Sequence, residues 1–266
     1  MRRKGGLLKE SFTCMICDGK SLILQLILPV LMMGITYYMT GKDMYFDYYH
    51  TRSAGFILVC AVIWGGLFNS ITLVVKERQN VKMKLSKGIS PMDFVWSRTI
   101  PQMILCAIQS AIITSSIYVV STNYNNPVPE TGLLLDNVYV EYGITFWLLS
   151  ISADMLGLFV SCLAKKTTVA IATAPYILLA QLVFSGMVLD LKDWSETVSK
   201  FMLSRWGIAA FGTTSNLNAL SHGEEQIFTF TRYHLLSCWG VLGLFAVVCI
   251  ITSWFTLKFM RLDEKS

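Results

Sequence analysis

Charge is scarce in this chain. Of its 266 residues, 15% are charged and 54% are apolar, whereas a water-soluble domain of this length carries about 25% charged residues. That shortage, with a positive mean hydropathy, excludes an ordinary soluble domain and points to a polytopic membrane protein. Histidine is rarer still. His50, His222 and His234 lie far apart, which excludes the spacing of a metalloprotease or a catalytic triad. The seven cysteines are Cys14, Cys17, Cys60, Cys106, Cys162, Cys238 and Cys249, and the segments read below as outer loops contain none. No disulfide framework is implied there. Most of these thiols fall in or beside apolar runs, where they behave as small hydrophobes. Cys14-Met15-Ile16-Cys17 has the spacing of half a zinc site, but no second pair accompanies it, so no metal is expected.

A nucleotide-binding motif is missing as well. Gly19-Lys20-Ser21 resembles the end of a phosphate loop, but the residue five before Gly19 is Cys14 and an apolar span follows at once. The strand, loop and helix that such a loop needs have no room. The chain is therefore expected not to be an enzyme and to hold no cofactor; if ATP drives it, hydrolysis belongs to another chain. Basic residues flank apolar spans and form no uninterrupted groove, so nucleic acid is not an expected partner.

What the sequence does contain is a series of long apolar runs. Ser53 to Val75 carries no charge and at about 1.5 Å per residue is long enough to cross a hydrocarbon core of roughly 30 Å. It ends in Lys76-Glu77-Arg78-Gln79-Asn80-Val81-Lys82-Met83-Lys84-Leu85-Ser86-Lys87-Gly88, where five of thirteen residues are basic. Such a turn stays on the cytoplasmic side. The other spans read as Ser21 to Thr40 with Pro29, Phe94 to Tyr118 with Pro101, Tyr142 to Leu163, Thr168 to Leu189 with Pro175, and Tyr233 to Phe259. Prolines within them indicate bends more than boundaries.

Six spans with both termini inside place 16 of the 22 Lys and Arg residues in the cytoplasm, in agreement with the positive-inside pattern. Met1-Arg2-Arg3-Lys4 mimics the start of a signal peptide, but the run beginning near Ser21 lacks a small-x-small cleavage site, so a retained membrane helix is expected. Residues 1–20 interleave Arg2, Arg3, Lys4, Lys9 and Lys20 with Leu7, Leu8, Phe12, Met15 and Ile16. That pattern reads as an amphipathic helix at the inner surface, with a charged leader as the alternative. Outside, Ser121 to Glu141 holds Glu130, Asp136 and Glu141 without Lys or Arg, and turns at Asn125-Asn126-Pro127-Val128-Pro129. The segment 190–232 contains Ser204-Arg205-Trp206-Gly207-Ile208-Ala209-Ala210-Phe211, too apolar for a wet loop and too short for a crossing. A re-entrant or interfacial outer helix fits it.

Two places carry a family resemblance. Glu77-Arg78 followed by Gly88 resembles the inner coupling hairpin of ABC-2 export permeases, bacterial relatives of the ABCG-type transmembrane fold. Phe184-Ser185-Gly186 and Ser204-Arg205-Trp206-Gly207 resemble that family's outer-end motif and short outer helices. The chain departs from the pattern in lacking a proline after Ser204 and the cysteines of eukaryotic outer loops.

The resemblance implies an all-α, six-span domain over residues 21–266, preceded by a connecting helix over 1–20, with a coupling hairpin at 76–92. It implies that Glu77, Arg78, Lys82, Lys84 and Gly88 meet a separate ABC ATP-binding subunit, which would carry ATP and Mg. A second copy of the chain or a related permease would complete a path lined by Phe68, Asn69 and Thr72 of the second span and Tyr176, Gln181 and Phe184 of the fifth. Ser185, Gly186, Arg205 and Trp206 would form the outer motif. The function implied is ATP-driven export of a hydrophobic or amphipathic compound across a cell membrane, with a bacterial inner membrane expected. Simple topology anchoring is the alternative reading of the hairpin charges. Asp154, in the middle of the fourth span, requires a partner, water access or protonation. It is compatible with binding a cation, a proton switch, helix pairing or a shifted boundary. The competing functions are a proton-linked secondary transporter built on Asp154 and a membrane assembly protein without transport.

Overall fold

The computed structural model describes the backbone of residues 2–17, 19–40, 43–124, 128–129, 131–189, 191–220 and 226–262. The expected turn at Asn125-Asn126-Pro127, together with Glu130, His222 and Lys265, lies outside the described residues. So do the side chains of Arg2, Arg3, Lys4, Lys20 and Arg261. In chain order the helices are α1 (Arg2–Cys17), α2 (Gly19–Thr40), α3 (Tyr48–Ser70), α4 (Arg78–Ser86), α5 (Pro91–Tyr124), α6 (Val138–Leu163), α7 (Thr167–Val183), α8 (Trp194–Ser199), α9 (Leu203–Thr214) and α10 (Arg232–Leu262). No strand occurs among the described residues. The protein is an all-α polytopic membrane protein: α2, α3, α5, α6 and α10 are long and apolar enough to cross a bilayer, and α7 is a shorter apolar helix.

Several boundaries differ from the sequence expectation, each through a cap or a competing hydrogen bond. Asp47 caps α3 by accepting the His50 N–H at 3.1 Å, so the helix begins at Tyr48 and not Ser53. The His50 ring, 2.8 Å from the same carboxylate, holds the Asp47 carboxyl below its ordinary value. At the far end α3 stops at Ser70, five residues before the expected Val75. There the N–H groups of Val74 and Val75 donate to Ser161 Oγ at 2.9 and 3.1 Å.

The fifth apolar run was expected to reach Leu189, but α7 ends at Val183. Phe184 N–H returns to Ala180 O at 3.0 Å, Ser185 Oγ donates to Leu182 O and accepts from Met187 N–H, and Gly186 adopts φ +81. A glycine in the left-handed region after such a turn is a helix stop. With 17 residues α7 is about 25 Å long. Glu141 also departs from its expected place in the outer segment. It lies in the first turn of α6, fully buried, where its Oε1 accepts the N–H groups of Leu134 and Leu135.

Helix α6 is the centre of the bundle and packs against α3, α5, α9 and α10. Its contact with α3 is made by small residues. A methyl on Gly66 would stand 2.5 Å from Ser150 O, and one on Gly157 would stand 2.5 Å from Leu67 O. Backbones can come this close only where side chains are absent, the usual solution for helices that lipid does not push together. Polar side chains tie the same helix to the others: Ser152 Oγ donates to Leu242 O at 2.7 Å, Trp239 Nε1 to Thr145 Oγ1 at 2.8 Å and Trp147 Nε1 to Met103 O at 3.2 Å. Tyr142, Phe146 and Phe211 form an aromatic core with centroids 5.3–6.3 Å apart.

The apolar segment after α8 becomes α9, buried on nearly every residue against α3, α6 and α10. Protein cover satisfies the requirement for a short helix among membrane spans. Gly157→Ala is expected to destabilise the protein by about 1–3 kcal/mol through overpacking against backbone. Gly243→Ala, where the added methyl meets open space, should not lower stability and should raise it by up to about 1 kcal/mol through helix propensity. Thermal unfolding of the two variants in one detergent checks both.

Candidate coupling hairpin and transport site

The basic turn after α3 folds into a 3-10 turn over Val75–Glu77 and then α4. Val81 and Leu85 of α4 are buried in a cluster with Phe94, Leu158, Cys162 and Leu257, so the hairpin is packed against α5, α6 and α10 and is not a free stalk. It turns back at Gly88, φ +89, where Gly88 N–H reaches Leu85 O and Ile89 N–H reaches Lys84 O at 3.2 and 3.3 Å. Those paired bonds explain the glycine at this spacing: a Cβ would disfavour the left-handed conformation.

Three of the six charged residues of the hairpin are engaged within the chain. Glu77 Oε2 accepts from Arg98 Nη2 at 2.9 Å, with the Arg98 side chain 5% exposed. Arg78 Nη1 donates to Cys162 O and Ala164 O at 3.1 and 2.7 Å, two carbonyls at the C-terminal end of α6. A guanidinium there also meets the negative end of the helix dipole. Lys84 Nζ lies 2.5 Å from Glu10 Oε1, joining α4 to α1. Lys82 is half-buried on the same helix, while Lys76, Gln79, Asn80, Met83, Ser86 and Lys87 are exposed.

Sequence reasoning passed over Arg98. Its signal was a lone cation at the start of an otherwise apolar run, which demands a carboxylate partner.

Asp154 lies on the α3–α6 contact and is fully buried. Its backbone oxygen accepts from Ser70 Oγ, and its Oδ2 accepts from Cys106 Sγ at 3.6 Å. Oδ1 is buried without a hydrogen-bond partner, and no salt bridge to Asp154 occurs among the described residues. One turn away, Asn69 Nδ2 donates to Gln109 Oε1 at 2.9 Å, and Gln109 Nε2 donates to Gln25 O at 3.1 Å. This chain of amides connects α3, α5 and α2, and Gln25 too was not singled out from the sequence.

The six expected path residues do not converge within one subunit. Phe68, Asn69 and Thr72 line a polar cavity of about 170 Å³ beside the hairpin, together with Gln25, Glu77 and Arg98. Gln181 instead borders an apolar cavity of about 450 Å³ between α2, α3 and α7, walled by Phe56, Cys60, Trp64 and Leu178. It also anchors α9, since its Oε1 accepts from Ser204 N–H at 3.0 Å and its backbone oxygen accepts from Ser204 Oγ at 2.5 Å. Phe184 packs edge-on against Trp194 at 6.2 Å. Tyr176, 74% exposed, points away from the subunit.

The outer-motif residues serve the loop that follows α7. Ser185 and Gly186 end that helix, Arg205 donates to Ser199 Oγ, and Trp206 Nε1 donates to Lys200 O at 2.9 Å.

Comparison with known proteins gives this architecture its family. The chain is 23% identical over 185 residues to an ABC transporter ATP-binding/permease protein of Mycobacterium tuberculosis, an alignment covering 69% of this chain and 21% of that relative. The chain thus spans about a fifth of the relative's length. The family model for ABC-2 type transporters matches residues 6–214, from α1 through α9. The chain belongs to the ABC-2 type transporter family.

Proposed function

We propose that this permease exports a hydrophobic or amphipathic compound using ATP hydrolysed, with Mg, on a separate ABC ATP-binding subunit, and that it works as two membrane subunits, either two copies of this chain or a related pair. The membrane is a cell membrane, in a bacterium the inner one, with both termini in the cytoplasm; the placement of 16 of 22 Lys and Arg residues on that side supports it. The name of the mycobacterial relative couples an ATP-binding part to a permease part, which supports the same division of labour.

The observation that carries the coupling is the double hydrogen bond from Arg78 to the end of α6. A push on α4 is delivered directly to the central helix, and through Glu77 and Arg98 to α5. Of the expected coupling residues, Glu77, Arg78 and Lys84 act inside the permease, and the surface offered to the ATPase is the exposed face with Gln79, Met83 and Lys87. This separates two kinds of failure. Arg78→Ala should leave the ATPase bound but lower cargo-stimulated hydrolysis about tenfold, consistent with losing charge-assisted bonds of about 1.5–3 kcal/mol. Met83→Asp combined with Lys87→Glu should abolish co-purification of the ATPase. Equal loss of binding in both variants would sink the assignment.

Asp154 distinguishes ATP-driven transport from proton-linked transport. As a group holding α3, α5 and α6 together it should tolerate Asp154→Asn, which keeps shape and hydrogen bonding, with ATP-dependent flux within about threefold of wild type. A proton-linked carrier would lose gradient-driven flux entirely in that variant. Flux into inverted vesicles, measured with ATP and separately with an imposed proton gradient, decides between them.

A further inference from the structure

The segments read as outer carry six Lys and Arg residues, namely Lys42, Arg52, Lys192, Lys200, Arg205 and Arg232. Three of these, Arg52 of α3, Lys200 after α8 and Arg205 of α9, converge on one cavity of about 510 Å³. Glu196 is the carboxylate on its wall, and it is already shared, 3.9 Å from Lys200 Nζ and 3.8 Å from Arg205 Nη2. Three cations against one carboxylate leave two positive charges unmatched.

Arg52 is the clearest case. Its Nε is shut off from solvent without a hydrogen-bond partner, and Arg52 has no ion pair among the described residues. A guanidinium donor withdrawn from water and left unpaired is costly. His234, also on the wall, directs Nε2 to Ile227 O at 3.0 Å and offers no negative charge.

The remainder of the wall is Gly186, Leu191, Trp206, Ala209 and Ile227, and its large side chains are apolar. A cavity that joins unmatched guanidinium charge to an apolar surface fits a ligand with the same two halves. Guanidinium groups suit phosphate in particular, because their planar fork matches its oxygens with paired donors.

We propose that this cavity binds the anionic phosphodiester headgroup of an amphiphile, with Arg52 as its principal contact, Arg205 and Lys200 completing the charge, and Trp206 lying along the apolar portion. The headgroup belongs either to a bilayer phospholipid or to a phosphate-bearing cargo, which share this chemistry.

The test uses the purified full chain in zwitterionic micelles, without nucleotide or ATPase, so its failure leaves the ATP-driven reading untouched. Retention of dioleoyl phosphatidylglycerol and of the matching phosphatidylcholine is read by native mass spectrometry. The anionic lipid should be retained about tenfold more than the zwitterionic one, a ratio worth about 1.4 kcal/mol. Arg52→Gln should remove that preference, Arg52→Lys should restore most of it, and Lys192→Gln, an exposed outer cation that does not line the cavity, should leave it intact. Displacement by inorganic phosphate would support recognition of the phosphate alone and so a site open to cargo. Resistance to displacement would support recognition of the headgroup together with its apolar body. Equal retention of both lipids by the wild type overturns the proposal, as does wild-type preference in an Arg52→Gln variant with an unchanged melting temperature.

Discussion

The close approach of α3 and α6 is the constraint on which the other contacts depend. Apolar helices gain little from leaving lipid for one another, so their association rests on packing and on interhelical hydrogen bonds. Gly66 and Gly157 let the two backbones meet, and the polar groups exposed by that proximity pair across the gap: Ser70 with the Asp154 carbonyl, and Ser161 with the amides of Val74 and Val75. These last bonds also divert the chain out of α3 and into the hairpin. One seam therefore fixes the core, ends a helix and aims α4 at the end of α6.

The composition and the spacing of apolar runs made the helical membrane fold legible, since no other arrangement satisfies the backbone along such runs in lipid. The hairpin was legible because Gly88 and a dense cluster of basic residues mark a sharp polar turn. What escaped was the partner of each polar residue. Glu77 and Arg78 were read as groups that meet another protein, and a sequence does not reveal that within the chain Arg98 lies beside one and the last carbonyls of α6 lie beside the other. The end of α7 escaped for a different reason. Phe184-Ser185-Gly186 sits inside an apolar run, where hydropathy outweighs a single glycine, yet positive φ at Gly186 ends the helix. Asp154 was conspicuous as a charge in a span, but only the fold shows that its surroundings offer a thiol and a hydroxyl in place of a cation.

The polar bonds also divide the bundle unevenly. α6 is joined to α3, α5 and α10 by bonds from Ser70, Trp147, Ser152 and Trp239, and to the hairpin by Arg78. α7 has a different kind of attachment: its buried residues are Ala170, Ala174, Leu178 and Gln181, and its polar tie is the pair of bonds between Gln181 and Ser204. α2 is still less enclosed, with 11% of its apolar stretch buried, against 72% for α6. Regions with few buried contacts open at the lowest free energy.

On the coupling proposed above, that asymmetry bears on how a push at the hairpin would become a change of access. A force entering through Arg78 meets α6 at its end and moves α3, α6 and α10 together, because breaking any one of their side-chain ties would strand a polar group in an apolar interior. α2 and α7 carry fewer such penalties and face each other across the apolar cavity of about 450 Å³ walled by Cys60 and Trp64 of α3. Motion of the stiff group relative to these two helices therefore changes the width of that cavity before it disturbs anything else. Gln181 keeps the change coupled to α9 and hence to the opposite end of the bundle, where the residues around Arg52 and Arg205 lie. On that proposal, the route from the hairpin to the cavity around Arg52 runs through backbone-directed hydrogen bonds at both ends and through glycine-mediated contact between them.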